Sequence, residues 1–274
     1  MKPYYEDDLV TLYHGDAREV MAKLPAESVD AIVTSPPYAM QRKDTYGGVP
    51  ETDYPAWTVA WMNEARRLLK PDGSVIINIR PHIKNGVISD YVLRTRLALR
   101  ADGWAELEEL IWHKPNGMPI GSQRRPRRSW ESLHWFARHG NAWADPKAAG
   151  TPSARETRAS HTTAARNGWD VGQGARKDSV PAVVRVPDVA TFGTGGAQGI
   201  DHPAPFPVSV AEWCAKLICP PVGTILDPFS GSASTGVAAI RNGWHYIGID
   251  AVEEYVEMSA SRLAQQRDIY RGVA

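Results

Sequence analysis

The amino-acid sequence predicts an α/β fold, a doubly wound and mostly parallel sheet with helices on both faces. Three observations carry that expectation. Short apolar runs alternate with stretches of helical spacing. Two of those runs end in turns of unusual composition, T-S-P-P-Y at 34–38 and D-P-F-S-G-S-A-S-T at 227–235. A chain of 274 residues with 43% hydrophobic residues can also bury a sizeable core. Strands alternating with helices favour parallel pairing, because each crossover helix returns the chain in the same direction.

Taken in order, residues 9–14 read as a strand ending at Gly15-Asp16, 17–24 as a helix and 29–34 as a buried strand. A loop rich in Gly, Pro and Asp occupies 41–53. The spacing of Trp57, Trp61 and Leu68 predicts a helix over 54–70, stopped by Pro71-Asp72-Gly73. Residues 75–79 read as a strand, 89–101 as a helix and 107–112 as another strand. From about 140 to 199 the periodicity disappears, which predicts a separate module or a region ordered by a partner. Regular structure returns as helix 208–219, strand 224–226, helix 234–242, strand 245–249 and helix 252–267. That closing half usually begins a nucleotide-binding sheet, so here it must join beside the N-terminal half. The two unusual turns would then lie at the carboxyl ends of neighbouring central strands, where open α/β sheets bind ligands. The expected division is 1–139 and 201–274 as two halves of one domain, with 140–200 inserted.

Composition narrows the partners. Residues 1–8 are polar and no window reaches a membrane span, which predicts neither a signal peptide nor a membrane partner. Cys214 and Cys219 lie five apart in a predicted helix, so no disulfide is expected and a cytoplasmic location is. The formal net charge is zero, yet residues 114–185 hold 13 Lys or Arg against 5 Asp or Glu. A basic middle between acidic ends is the asymmetry of a chain with one segment facing phosphates, although a solvated basic loop has the same composition.

The two turns suggest complementary chemistry. Gly231 allows close backbone approach, and the N–H groups at the helix start near Ser234 suit a carboxylate. Asp250 follows Asp227 by 23 residues, ending the next strand where a carboxylate can accept two ribose hydroxyls. Dinucleotide enzymes use the same device with G-x-G-x-x-G, which is absent. In the other turn, two prolines remove N–H donors and leave acceptors. The Ser35 hydroxyl and a carbonyl near Pro36 could take both hydrogens of a conjugated amino group and free its lone pair. Tyr38 could stack on the ring that bears it.

In order and composition these strings resemble the amino-methylating DNA methyltransferases, which use S-adenosylmethionine. The catalytic string first and the cofactor string last resembles their permuted β group. The resemblance covers about 190 residues by order-of-magnitude reading of the matched elements. It implies a Rossmann-like methyltransferase with circularly permuted motif order and an inserted target-recognition region over 140–200. Ser35, Pro36, Pro37 and Tyr38 would be catalytic, without a covalent intermediate, and S-P-P-Y is most frequent in the family among enzymes acting on cytosine N4. Asp227, Phe229, Ser230, Gly231 and Ser232 would hold the methionine end, Asp250 the ribose and Asp16 the adenine. His202, Ala204 and Phe206 match the family's H-x-A-x-F-P segment beside the methionine, and Ala233 replaces a frequent glycine. Trp112-His113-Lys114 resembles the W-x-K region lining the target pocket. Lys114, Arg124, Arg125, Arg127, Arg128, Arg155, Arg158 and Arg166 would contact DNA, with Trp169, Arg176 and Lys177 continuing the basic run. No metal is expected. Implied partners are double-stranded DNA, a cognate restriction endonuclease acting on the same site, and a second copy in a homodimer. Neither cysteine sits in the Pro-Cys turn that carbon-5 methylation requires. Methylation of adenine N6, of RNA or of protein glutamine, and a silent DNA-binding role on the same scaffold, are the alternative readings.

Overall fold

The computed structural model describes residues 1–40, 48–115, 124–150, 183–194 and 206–273. In chain order the elements are β1 (Tyr5–Glu6), β2 (Val10–His14), α1 (Ala17–Met21), β3 (Val29–Thr34), α2 (Tyr54–Leu68) and β4 (Leu69–Ile79). A small hairpin follows, β5 (Ile83–Lys84) and β6 (Val87–Ile88), then α3 (Tyr91–Ala101), β7 (Ala105–His113), β8 (Trp130–Ala137) and β9 (Val189–Thr191). The chain closes with α4 (Val208–Ile218), β10 (Thr224–Asp227), α5 (Ser234–Asn242), β11 (His245–Asp250) and α6 (Glu253–Val273).

Nine strands form one sheet in the order β1-β2-β11-β10-β3-β4-β8-β7-β9. The five central strands, β2 to β4 in that order, are parallel; β8 runs antiparallel to both its neighbours. The late strands β11 and β10 therefore sit between β2 and β3, the join that the order of the motifs demanded. Alternate residues of β3 and β4 point to opposite faces, and both faces are covered. Ile32, Val75 and Ile77 pack with α1, α2 and α3, while Ala31, Val33 and Ile76 pack with α4, α5 and α6. Burial on both faces explains why these strands read as unbroken apolar runs.

Several expected boundaries move. The first helix ends at Met21 rather than residue 24, and α2 ends at Leu68. Pro71-Asp72-Gly73 lies inside β4, three residues beyond the end of α2. Arg138 donates to the carbonyls of Arg66 and Leu69, which ends α2 by satisfying its last acceptors. The pattern announced neither β1 nor β5, β6, β8 or β9. Both ends of the unpatterned segment attach to the sheet: Trp143 N–H donates to Asp72 O of β4 at 2.8 Å, and β9 pairs in parallel with β7. Both cysteines are free and buried. Among the described residues, no helix is long and apolar enough to cross a membrane.

Candidate active site

Strand direction gathers the site. The carboxyl ends of β2, β3, β4, β7, β10 and β11 and the amino end of β8 share one edge of the sheet. Asp16, Ser35, Asn78, Lys114, Glu131, Asp227 and Asp250 stand along it.

Asp227 ends β10 at 4% exposure. Its Oδ1 accepts the Thr34 hydroxyl at 2.7 Å and the Phe229 N–H at 3.2 Å, and its Oδ2 accepts the Thr235 hydroxyl at 2.9 Å. All three donors are neutral. Burial pushes its carboxyl up to about 6, and the Asp250 charge acts in the same direction. The turn beyond it passes through two left-handed residues, Gly231 (φ 50°) and Ala233 (φ 55°), so the chain keeps with alanine a conformation that favours glycine. Neighbouring elements grip this turn. Ser230 N–H donates to Ile249 O at 2.9 Å, the Ser259 hydroxyl to Gly231 O at 2.7 Å, and Arg262 to Ser232 O at 2.5 Å. Phe229 is anchored by Trp57 and Trp61, with ring centroids 5.5 and 5.3 Å away.

Asp250, 2% exposed, accepts the Gly231 N–H at 2.8 Å and the Val252 N–H at 3.0 Å. These bonds orient the carboxylate at the end of β11. Asp16 is the exposed N-cap of α1, accepting from the N–H groups of Arg18 and Glu19. Two buried acids beside a helix N-terminus form a donor and acceptor set that fits S-adenosylmethionine, which carries an ammonium and a carboxylate on its amino-acid end and a ribose diol.

Next to this turn, Ser35 to Tyr38 leave β3. The Ser35 hydroxyl donates to Asn78 Oδ1 at 3.4 Å, and Asn78 Nδ2 donates to Ser132 O at 3.1 Å. Tyr38 Oη lies 3.1 Å from the same Asn78 oxygen and 3.0 Å from Glu131 Oε2. Its single hydrogen serves one acceptor at a time, and the charged carboxylate is the stronger. Burial, then the Glu131 charge, raise the Tyr38 phenol well above its ordinary range, so it stays protonated. The Pro37 carbonyl accepts the Tyr54 hydroxyl at 3.0 Å, which fixes the turn from below.

Lys114, in the W-x-K string, is buried: its ammonium meets Glu131 Oε1 and lies 4.0 Å from the Trp112 ring centroid. Arg80 reaches the same Glu131 oxygen at 3.4 Å. Asn78, Arg80 and Glu131 lie outside both motif strings, and Thr235 closes the second string without having been given a role. Asn78 did leave a signal, as a lone amide in the run Val75-Ile76-Ile77-Asn78-Ile79.

Arg124, Arg125 and Arg127 are exposed, and Arg128 is half-buried. Arg125 donates to Gly86 O, and Arg127 to Pro115 O at 3.2 Å. Phe206 packs edge-on against Trp112, 6.3 Å between ring centroids. Arg155, Arg158, Arg166, Trp169, Arg176, Lys177, His202 and Ala204 lie outside the described residues.

Known proteins resemble this chain in sequence and fold. A family model described as DNA methylase matches residues 29–261. The type II methyltransferase M.PvuII of Proteus hauseri is 26% identical over 299 residues, covering 95% of this chain and 85% of that one. M.XycI of Xanthomonas campestris pv. cyanopsidis, another type II methyltransferase, is 30% identical over 293 residues, covering 93% and 88%. The solved PvuII DNA methyltransferase (cytosine-N4-specific) superposes with a TM-score of 0.74 at 25% identity, covering 98% of this chain and 94% of its own. A Thermus thermophilus protein solved in complex with S-adenosyl-L-methionine shares the fold with a TM-score of 0.60 at 24% identity, covering 93% of this chain and 95% of its own.

Proposed function

The chain belongs to the DNA methylase family, and from that premise we propose that it transfers a methyl group from S-adenosylmethionine to the N4 amino group of cytosine in duplex DNA. One observation carries the reading above all: the 2.7 Å hydrogen bond from Thr34 to Asp227 makes the acceptor turn and the cofactor turn a single unit. A shift of either turn would move the other.

When bound, S-adenosylmethionine supplies an electrophilic methyl carbon. Asp227 and the Phe229–Ser232 backbone would hold its amino-acid end with His202, Ala204 and Phe206; Asp250 would take the ribose and Asp16 the adenine. Ser35 gives its hydrogen to Asn78, so its oxygen lone pairs are free to accept a hydrogen of the target amino group. The Pro36 carbonyl would accept the second. Tyr38 would stack on the cytosine, its ring held by the Glu131 hydrogen bond, so that positioning supplies much of the rate. The base would leave the duplex at a cost of roughly a few kcal/mol, offset by stacking and by phosphate contacts of the arginines at 124–128. The S-P-P-Y string and the overlap with a cytosine-N4-specific enzyme both favour cytosine. The type II naming of the relatives supports a cognate endonuclease acting on the same site. Residues 140–200 would read the target sequence, and a homodimer is the assembly to look for by light scattering.

The test is direct. The purified protein is incubated with S-adenosylmethionine and mixed-sequence duplex DNA, which is digested to nucleosides for mass spectrometry. N4-methylcytosine is expected. N6-methyladenine would overturn the choice of base, and an unmodified digest would overturn the enzymatic reading.

A further inference from the structure

Resting on that reading, we infer that Ser259 and Arg262 of α6 are positioning residues for S-adenosylmethionine, because they impose on the cofactor turn a shape that its own sequence resists. The resistance lies at Ala233. Its φ of 55° and ψ of 42° are left-handed, and its methyl group is buried. In that region Cβ crowds the following carbonyl oxygen, so alanine visits it rarely and glycine freely. A strained conformation of this kind persists only where its surroundings over-determine it.

Those surroundings are one turn of the terminal helix. Ser259 and Arg262 stand three residues apart and so share a face of α6. The Ser259 hydroxyl donates to Gly231 O at 2.7 Å, while Asp250 accepts the N–H of the same glycine at 2.8 Å. Arg262 Nη1 donates to Ser232 O at 2.5 Å and lies 3.4 Å from Ser232 Oγ and 3.3 Å from Ser234 Oγ. One guanidinium thus reaches the residues on both sides of Ala233. The helix that supplies these contacts is itself fixed: Val256 and Leu263 are buried in the core, and Arg267 pairs with Asp7 at 3.3 Å. Alanine has no side chain with which to cap α5, so the aim of the first N–H groups of that helix depends on how Ala233 turns the chain. The cofactor's carboxylate would meet those N–H groups. A turn that relaxed at Ala233 would swing them away while leaving Asp227 and Asp250 on their strands.

The experiment measures S-adenosylmethionine binding by calorimetry on the full chain, with the melting temperature of each variant recorded to show that it is folded. Arg262→Gln should weaken binding about tenfold, as loss of a charge-assisted hydrogen bond does. Adding Ala233→Gly should recover most of that loss, because glycine adopts the left-handed turn without strain, and should improve the wild type far less. In methylation assays the Arg262→Gln defect should fall on KM for the cofactor, with most of kcat kept at saturation. Ser259→Ala keeps the test open should Arg262→Gln fail to fold, and it should weaken binding about threefold. Unchanged affinity in either folded variant would overturn the inference. So would an Arg262→Gln loss that Ala233→Gly leaves in place. A wild type that binds no S-adenosylmethionine would instead remove the functional reading on which the inference rests.

Discussion

Asp227 sits where the charge its proposed role requires is disfavoured. Its folded pKa of about 6 lies above the usual carboxylate range, so the native state binds the proton more tightly than the unfolded chain. The sign follows: the penalty is absent below about pH 4, grows as pH rises to 6 and is complete above it. Its size is on the order of 3 kcal/mol, from about two pKa units at 1.36 kcal/mol each. Asp227→Asn removes it, so the melting temperature of the variant minus that of the wild type should climb between pH 4 and pH 6.5. A flat difference would show that the carboxyl titrates normally. A cationic ligand relieves the same penalty. Affinity for S-adenosylmethionine, measured by calorimetry, should therefore rise from pH 5 to pH 7 in the wild type and stay level in the variant.

Helix α5 must approach the sheet closely to present its N-terminus to the cofactor turn. Gly236 permits this, because a Cβ there would lie 2.7 Å from Cε1 of the buried Tyr246 ring. Gly236→Ala should lower stability by roughly 1–3 kcal/mol despite the better helix propensity of alanine, and urea titration reads the change; an unaltered midpoint would mean that the ring yields. The elements bearing the two turns were legible because β3, β10 and β11 are apolar on both faces and end in distinctive strings. Strand β8 was not. It buries Glu131, Ser132 and His134, and polar residues at buried positions erase the pattern by which a strand is read. The burial of Lys114 was hidden for a related reason, since lysine is rarely buried unless paired and its partner Glu131 lies in that same strand. Thus Ser35, Tyr38, Asp227 and Asp250 are candidates that local strings make readable, while Asn78, Arg80 and Glu131 join them only through the antiparallel pairing of β4 with β8 and of β8 with β7.

Across the whole molecule, a formal charge of zero conceals a basic surface at 124–128 beside an active-site edge lined by acids. Attraction to DNA should therefore depend on local charge and weaken steeply with salt. Replacing Arg124, Arg125 and Arg127 together by Gln should reduce the slope of log K against log salt by up to about 3, at nearly one unit per lost phosphate contact. Filter binding between 50 and 200 mM salt, about the range over which such contacts are resolved, tests this. An unchanged slope would place the phosphate-contacting surface elsewhere.

The position of β10 and β11 between β2 and β3 also sets an order of events during synthesis. Until residues 224–250 leave the ribosome, β2 and β3 each expose an open edge, held roughly 14 Å apart in the finished sheet. Pairing must then bridge nearly two hundred residues of chain, as the contact between Thr34 and Asp227 does. Contacts that distant form slowly, and unpaired strand edges invite association meanwhile. Nascent chains stalled before β10 should therefore be captured by chaperones or aggregate, and methylating competence should arrive late and all at once.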